Sequence, residues 1–251
     1  MPFETALTEE DLRRNIAAIR ARMDAACQRS GRSPQDVRLL PVSKTVPEER
    51  LRLAWAAGVR EMGENKVQEL RDKYEELKEV PHTKHFIGHL QTNKIKDILK
   101  AEVACIESLD RWDAAEKLQQ RLEYEDKTIE VLIQVNTSYE DSKFGLDPSE
   151  AVDFVKKVAT LDRLKIKGLM TIGLFSAEIE EVRKCFQLLK KIQQEIIAEN
   201  IPNVEMKELS MGMSGDLETA IEEGSTIIRV GTAIFGKREY PDSHYWPENN
   251  S

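Results

Sequence analysis

The chain has 251 residues, with 37 basic and 45 acidic side chains and a formal net charge of −8 at pH 7. That length suits one large domain or two modest ones, and an acidic chain without a long Lys/Arg run is not built as a general nucleic-acid binder. Hydrophobic residues make up 40% and charged residues 33%, and the apolar positions recur periodically, which excludes wholesale disorder.

Thr8-Glu9-Glu10-Asp11 predicts a helix start, with a hydroxyl cap and carboxylates at the positive end of the helix dipole. Leu12, Ile16, Ile19, Met23 and Cys27 then fall on one helical face, and Gly31 and Pro34 stop the helix. A short apolar strand follows over residues 37–42, then the polar tip Ser43-Lys44-Thr45 and a new helix from Pro47. Seven more strands are predicted over residues 59–62, 84–88, 103–108, 129–136, 165–172, 204–209 and 227–234. Helical stretches lie between them. In the clearest, over residues 179–197, Ile179, Val182, Phe186, Leu189, Ile192 and Ile196 keep one face apolar. Strands alternating with helices at a spacing of about thirty residues mean parallel βα units. Eight such units in a chain of about 250 residues match a single closed (β/α)8 TIM barrel, with an open doubly wound sheet as the rival. One domain is expected over residues 1–240, with a polar tail over 241–251. The N-terminal stretch lacks signal- and transit-peptide composition, and no apolar run approaches the roughly 20 residues of a membrane helix. A cytoplasmic protein is expected. Cys27, Cys105 and Cys185 are far apart and odd in number, and read as reduced core thiols.

In such a barrel the chemistry lies just after each strand, in the βα loops. Lys44 follows an apolar strand directly. Partial desolvation there would lower its amine pKa and make it a nucleophile toward carbonyls; otherwise it is a surface lysine. The Ser210-Met211-Gly212-Met213-Ser214 loop precedes a helix predicted over residues 217–223, with Ser214 as its natural cap. Its small residues, with Gly231 and Thr232 after the eighth strand, offer amides to a phosphate, or form an ordinary capped turn. Arg229 interrupts an apolar strand. It points into the barrel mouth or pairs with a neighbouring strand's carboxylate. Two motifs fail. Residues 231–237 have the spacing of a phosphate-binding P-loop, but Arg238 replaces the required Ser/Thr. His82, His85 and His89 resemble metal spacing, yet no Cys or carboxylate lies between them, so no metal is expected.

The motifs VSKT (42–45), GENKVQE (63–69), HFIGHLQTNK (85–94), SKFG (142–145), GLMT (168–171), SMGMS (210–214) and RVGTAIFG (229–236) occur in this order. Together they resemble the pyridoxal-phosphate homeostasis protein family, known as YggS/PROSC. The resemblance implies a barrel like the N-terminal domain of alanine racemase, without that enzyme's C-terminal β-domain, carrying pyridoxal 5′-phosphate (PLP). It further implies Lys44 as the residue holding PLP as an aldimine, Ser214, Gly231 and Thr232 at the phosphate, and Arg229 facing the pyridine nitrogen. Asn65, Ser210 and His85 would line the pocket. Lys84 stands where the family often has tryptophan. The family is regarded as a PLP carrier or regulator of vitamin B6 and amino-acid balance, without established turnover.

An arginine at the pyridine nitrogen disfavours protonation there and weakens the ring as an electron sink, which leaves a racemase or a holder of the cofactor. Racemization needs a base on each face of the ring. Lys44 could serve one; none of Tyr74, Tyr124, Tyr139, Tyr240 or Tyr245 lies in a pocket motif. The expectation is therefore a non-catalytic, monomeric PLP-binding protein, with PLP-dependent apo-enzymes as partners and no contact with nucleic acid or membrane. The alternatives are a single-domain racemase and a PLP-sensing regulatory partner.

Overall fold

The computed structural model describes residues 4–174, 176 and 178–236. The predicted tail over 241–251 lies outside them, as do Lys237, Arg238, Tyr240 and Tyr245. The strands are β1 (Arg38–Pro41), β2 (Glu61–Glu64), β3 (Thr83–Phe86), β4 (Cys105–Leu109), β5 (Ile129–Gln134), β6 (Leu164–Met170), β7 (Glu208–Ser210) and β8 (Ile227–Val230). The helices are α1 (Glu9–Arg29), α2 (Glu48–Ala56), α3 (Val67–Glu76), α4 (Ile95–Lys100), α5 (Trp112–Glu125), α6 (Ala151–Val158), α7 (Ile179–Ala198), α8 (Leu217–Glu222) and α9 (Thr232–Phe235).

All strand pairs are parallel, in the order β1-β8-β7-β6-β5-β4-β3-β2. The two ends of that order meet, because Val42 bridges Gly63 and the Ser43 amide donates to the Gly63 carbonyl (2.9 Å). A closed barrel results, and the open-sheet alternative is excluded. α1 starts at Thr8 with a reciprocal capping box to Asp11 and buries Leu12, Ile16, Ile19, Met23 and Cys27. It seals one side of the barrel, where Asn15 Nδ2 donates to the Ile234 carbonyl (2.9 Å) and Arg22 pairs with Glu218. Cys27, Cys105 and Cys185 are free and buried.

Most strand ends fall within about two residues of their predicted positions, and three features differ more. β7 begins at Glu208 rather than 204; Glu205 and Lys207 donate to Ile166 and Lys167 without forming a regular ladder. β8 ends at Val230, and the apolar run that follows turns into α9, burying Ala233, Ile234 and Phe235. So short an apolar run carries no period that separates strand from helix. In α7, Ile179 is the first residue and is 61% exposed, so the packed face begins at Val182.

Alternate strand residues fill the barrel interior in layers. Arg38 lies near the bottom between Glu61 (3.4 Å) and Glu208 (3.0 Å). Above it, Leu40, Cys105, Leu132, Met170 and Ile227 form a separate apolar cluster. Two residues further along their strands, Glu107 and Arg229 bring polar groups into the layer beneath the C-terminal face.

Candidate functional site

Arg229 is fully enclosed at the top of β8. It donates to Ser210 Oγ (2.6 Å) and to the Thr171 carbonyl (2.7 Å). Ser210 Oγ donates in turn to Glu107 Oε2 (2.5 Å), whose other oxygen accepts from His85 Nδ1 (2.8 Å). A guanidinium, a hydroxyl, a carboxylate and an imidazole thus run across the barrel from β8 to β3. Both readings of Arg229 are partly realised: it lies beneath the mouth, and its countercharge is the carboxylate of Glu107, reached through Ser210 rather than on an adjacent strand. Burial pushes the Glu107 carboxyl up, but the hydrogen bonds from His85 and Ser210 and the Arg229 charge outweigh it, and the carboxyl is held below its ordinary range. Burial lowers the Arg229 pKa, against the pull of Glu107 and Asp216. Glu107 was missed in the sequence, although a carboxylate inside the apolar 103–108 run is the same kind of signal as Arg229.

Lys44 sits half-buried at the tip of β1, in a tight turn. The β1–β8 register sets Pro41 beside Val230, and Val42 N donates to the Val230 carbonyl (2.8 Å). The tip carrying Lys44 therefore adjoins Gly231 and Thr232. On the other side of β8, Arg229 N donates to the Gly212 carbonyl (3.1 Å), which brings the 212–216 loop alongside. The three sequence-predicted segments are consecutive around the barrel rim.

The residue at the N-cap position of α8 is Asp216, not Ser214, and its side chain makes no capping bond to the helix. Asp216 Oδ1 instead takes the Met213 amide (2.5 Å), and Ser214 precedes the cap position by two residues. Burial raises the Asp216 carboxyl pKa. Ser214 is half-exposed, and its carbonyl accepts from Arg22 (3.0 Å). Gly231 precedes α9, whose first amides have no acceptor within the helix. A Cβ on Gly231 would stand 3.2 Å from the Val42 carbonyl, a tight approach that favours glycine.

Asn65 directly follows β2, and its Oδ1 is buried without a hydrogen-bond partner. It borders a groove of about 820 Å³ on the C-terminal face, lined also by Thr45, Phe86, Gln134, Phe144 and Ile172. The histidines diverge. His85 serves Glu107; His89 stacks on Phe144 with ring centroids 3.8 Å apart; His82 Nδ1 contacts the Val80 carbonyl (2.7 Å). Among the described residues no cluster of His, Cys, Asp and Glu has the makings of a metal site. Lys84 lies over the Tyr74 ring, 5.2 Å from its centroid.

A second buried network also escaped the sequence reading. Lys73 of α3 donates to Glu64 Oε2 (2.6 Å), Glu69 Oε2 (2.7 Å) and the Ser43 carbonyl (2.6 Å). The spacing of Glu69 and Lys73, four apart on a helix, was the available signal.

The family model described as alanine racemase, N-terminal domain, matches residues 12–239. The chain is 42% identical over 225 residues to the pyridoxal phosphate homeostasis protein of Aquifex aeolicus (strain VF5), covering 90% of this chain and 97% of that one. It is 40% identical over 233 residues to the protein of the same name from Escherichia coli (strain K12), covering 92% and 98%. The chain belongs to the pyridoxal phosphate homeostasis protein family. Among solved structures, PipY of Synechococcus elongatus PCC7942 with PLP bound is 32% identical, with a TM-score of 0.79 over 90% of this chain and 100% of that one. An alanine racemase of Clostridium difficile 630 is 13% identical with a TM-score of 0.74 over 96% of this chain and 60% of that one, a likeness of fold alone. No helix among the described residues is long and apolar enough to cross a membrane.

Proposed function

We propose that this chain binds PLP covalently through Lys44 and serves vitamin B6 and amino-acid homeostasis as a carrier, without catalytic turnover of its own. The observation that carries the reading is the adjacency of the Lys44 tip, the Gly231–Thr232 turn and the Ser214 loop around β1, β8 and β7. It is supported by the family membership and by the PLP-bound PipY structure.

The residues present fit such a cofactor. Asn65 has a buried polar atom in want of a partner at the mouth, Ser214 keeps its hydroxyl out of the α8 cap, and α9 offers its first amides. When bound, PLP supplies an aldehyde that an amine can hold, a phosphate and a pyridine ring. Lys44 would provide the amine. Ser214, Gly231 and Thr232 would hold the phosphate, where amides and a hydroxyl at a helix start favour an anion. Arg229 would face the ring nitrogen, its orientation set by Ser210 and Thr171, with His85 acting behind it through Glu107. The carrier would act as a monomer and release PLP to PLP-dependent apo-enzymes.

Borohydride treatment of the PLP-loaded protein should bleach its visible absorbance band, and peptide mapping should find the pyridoxyl group on Lys44. An adduct mainly on another lysine would remove the site assignment.

A further inference from the structure

The turn that carries Lys44 is held in an unusual way. Thr45, the next residue, has φ 63°, in the left-handed region that a β-branched residue disfavours. Its amide donates to Glu69 Oε2 (2.7 Å), and that oxygen also accepts from Lys73 Nζ (2.7 Å). The same ammonium donates to the carbonyl of Ser43, the residue before Lys44 (2.6 Å). The two peptide groups that flank the Lys44 α-carbon are therefore pinned to a single ion pair on α3. Glu64 completes the support. It accepts from Lys73, from Ser43 Oγ (3.1 Å) and from the Asn65 amide (2.9 Å). The Lys73 side chain is only 12% exposed and that of Glu64 only 5%.

Enclosed ion pairs of this kind contribute little net stability compared with apolar packing, and their attested use is to specify one geometry among several. With both flanking peptides fixed, the direction in which the Lys44 stem leaves the backbone is fixed too. We propose that Glu69, with Lys73 as its countercharge, is a positioning residue that aims the Lys44 amine at the aldehyde it captures. This rests on the reading of Lys44 as the attachment residue. In the capture the neutral amine nitrogen bonds to the aldehyde carbon, the C=O bond breaks, and the oxygen leaves as water carrying the two amine hydrogens.

Glu69→Ala withdraws the acceptor from the Thr45 amide. Glu69→Asp keeps the charge but shortens the reach, and Glu69→Gln keeps an oxygen that can accept. Two probes separate aim from affinity. PLP followed by borohydride reports capture by Lys44. Pyridoxine 5′-phosphate, which carries an alcohol in place of the aldehyde, reports the hold on phosphate and ring alone. In Glu69→Ala and Glu69→Asp the rate of trapping on Lys44 should fall about tenfold, the scale of losing a hydrogen bond to a charged group. Affinity for pyridoxine 5′-phosphate should stay within about twofold, and Glu69→Gln should recover most of the trapping rate. If Glu69→Ala does not fold, Glu69→Asp carries the same expectation. Unchanged trapping in both variants overturns the proposal while leaving the Lys44 assignment intact. An equal loss of trapping and of pyridoxine 5′-phosphate binding overturns it in favour of a purely structural brace. Absence of a Lys44 adduct in the unmodified protein overturns the attachment reading, and the proposal falls with it.

Discussion

Glu107 decides the chemistry of the upper barrel. It is completely buried, yet His85, Ser210 and Arg229 all favour its charged form. Removing one member of such a set leaves another buried and unpaired, so Glu107→Ala should destabilise the fold by about 3–5 kcal/mol. The pH dependence follows from the direction of its shift. A carboxyl whose folded pKa is depressed stabilises the fold fully above its unfolded value, about 4.3 for glutamate, and loses that contribution as pH falls through the folded pKa. Urea unfolding of the wild type and of Glu107→Gln at several pH values should therefore show the widest gap near neutrality, narrowing below about pH 4. A gap that widens on acidification would mean that Glu107 is buried neutral. Much of this was open to sequence reading. Arg229 stands out in its apolar strand, and Glu107 stands out in the same way within the apolar 103–108 run. That the two share Ser210 could not be read from the sequence.

At the level of elements, the loop between β7 and α8 separates two jobs that the sequence assigned to one residue. Asp216 occupies the cap position of α8 and holds the Met213 amide, so Ser214, two residues earlier, lies outside the helix cap. Ser214→Ala should then leave the melting temperature unchanged while weakening PLP binding by about 1–3 kcal/mol, the effect of losing a hydrogen bond to a charged group. Pyridoxal, which lacks phosphate, should be nearly indifferent to the substitution. Equal weakening of both ligands, or a lowered melting temperature, would return Ser214 to a structural role. The misplaced end of β8 has a local cause. Runs of a few apolar residues have no measurable period, and it is packing of α9 against α1, with Ala6 N donating to the Phe235 carbonyl (3.2 Å), that makes residues 232–235 helical.

For the whole molecule, the pairing of β1 with β8 sets the Lys44 tip next to Gly231 and, across β8, near the 212–216 loop. Racemization at a PLP-bound amino acid requires a second base opposite Lys44. Among the described tyrosines, Tyr124 is 81% and Tyr139 66% exposed, while Tyr74 packs under Lys84. Incubating the PLP-loaded protein with L-alanine in heavy water should accordingly give no sustained α-proton exchange and no D-alanine. Exchange over many turnovers that disappears in Lys44→Ala would make the protein a racemase and sink the carrier reading.

The sequence by itself determined what depends on local periodicity: eight βα units, the amphipathic face of α1, the polar strand tips, and Lys44 as the amine at the first of them. These signals survive in one dimension because each is written within a single turn, strand or helix. The tertiary structure alone decided which side chains meet. Ser210 and Glu107 are 103 residues apart, and Arg229 reaches Thr171 across 58, so no spacing rule links them. Lys73 meets the Lys44 turn only because the barrel closes between β1 and β2, which turns α3 against the tip of the first strand. Burial supplies the physical reason. Charges taken out of water must find partners wherever the fold brings them, and closure of the sheet chooses those partners.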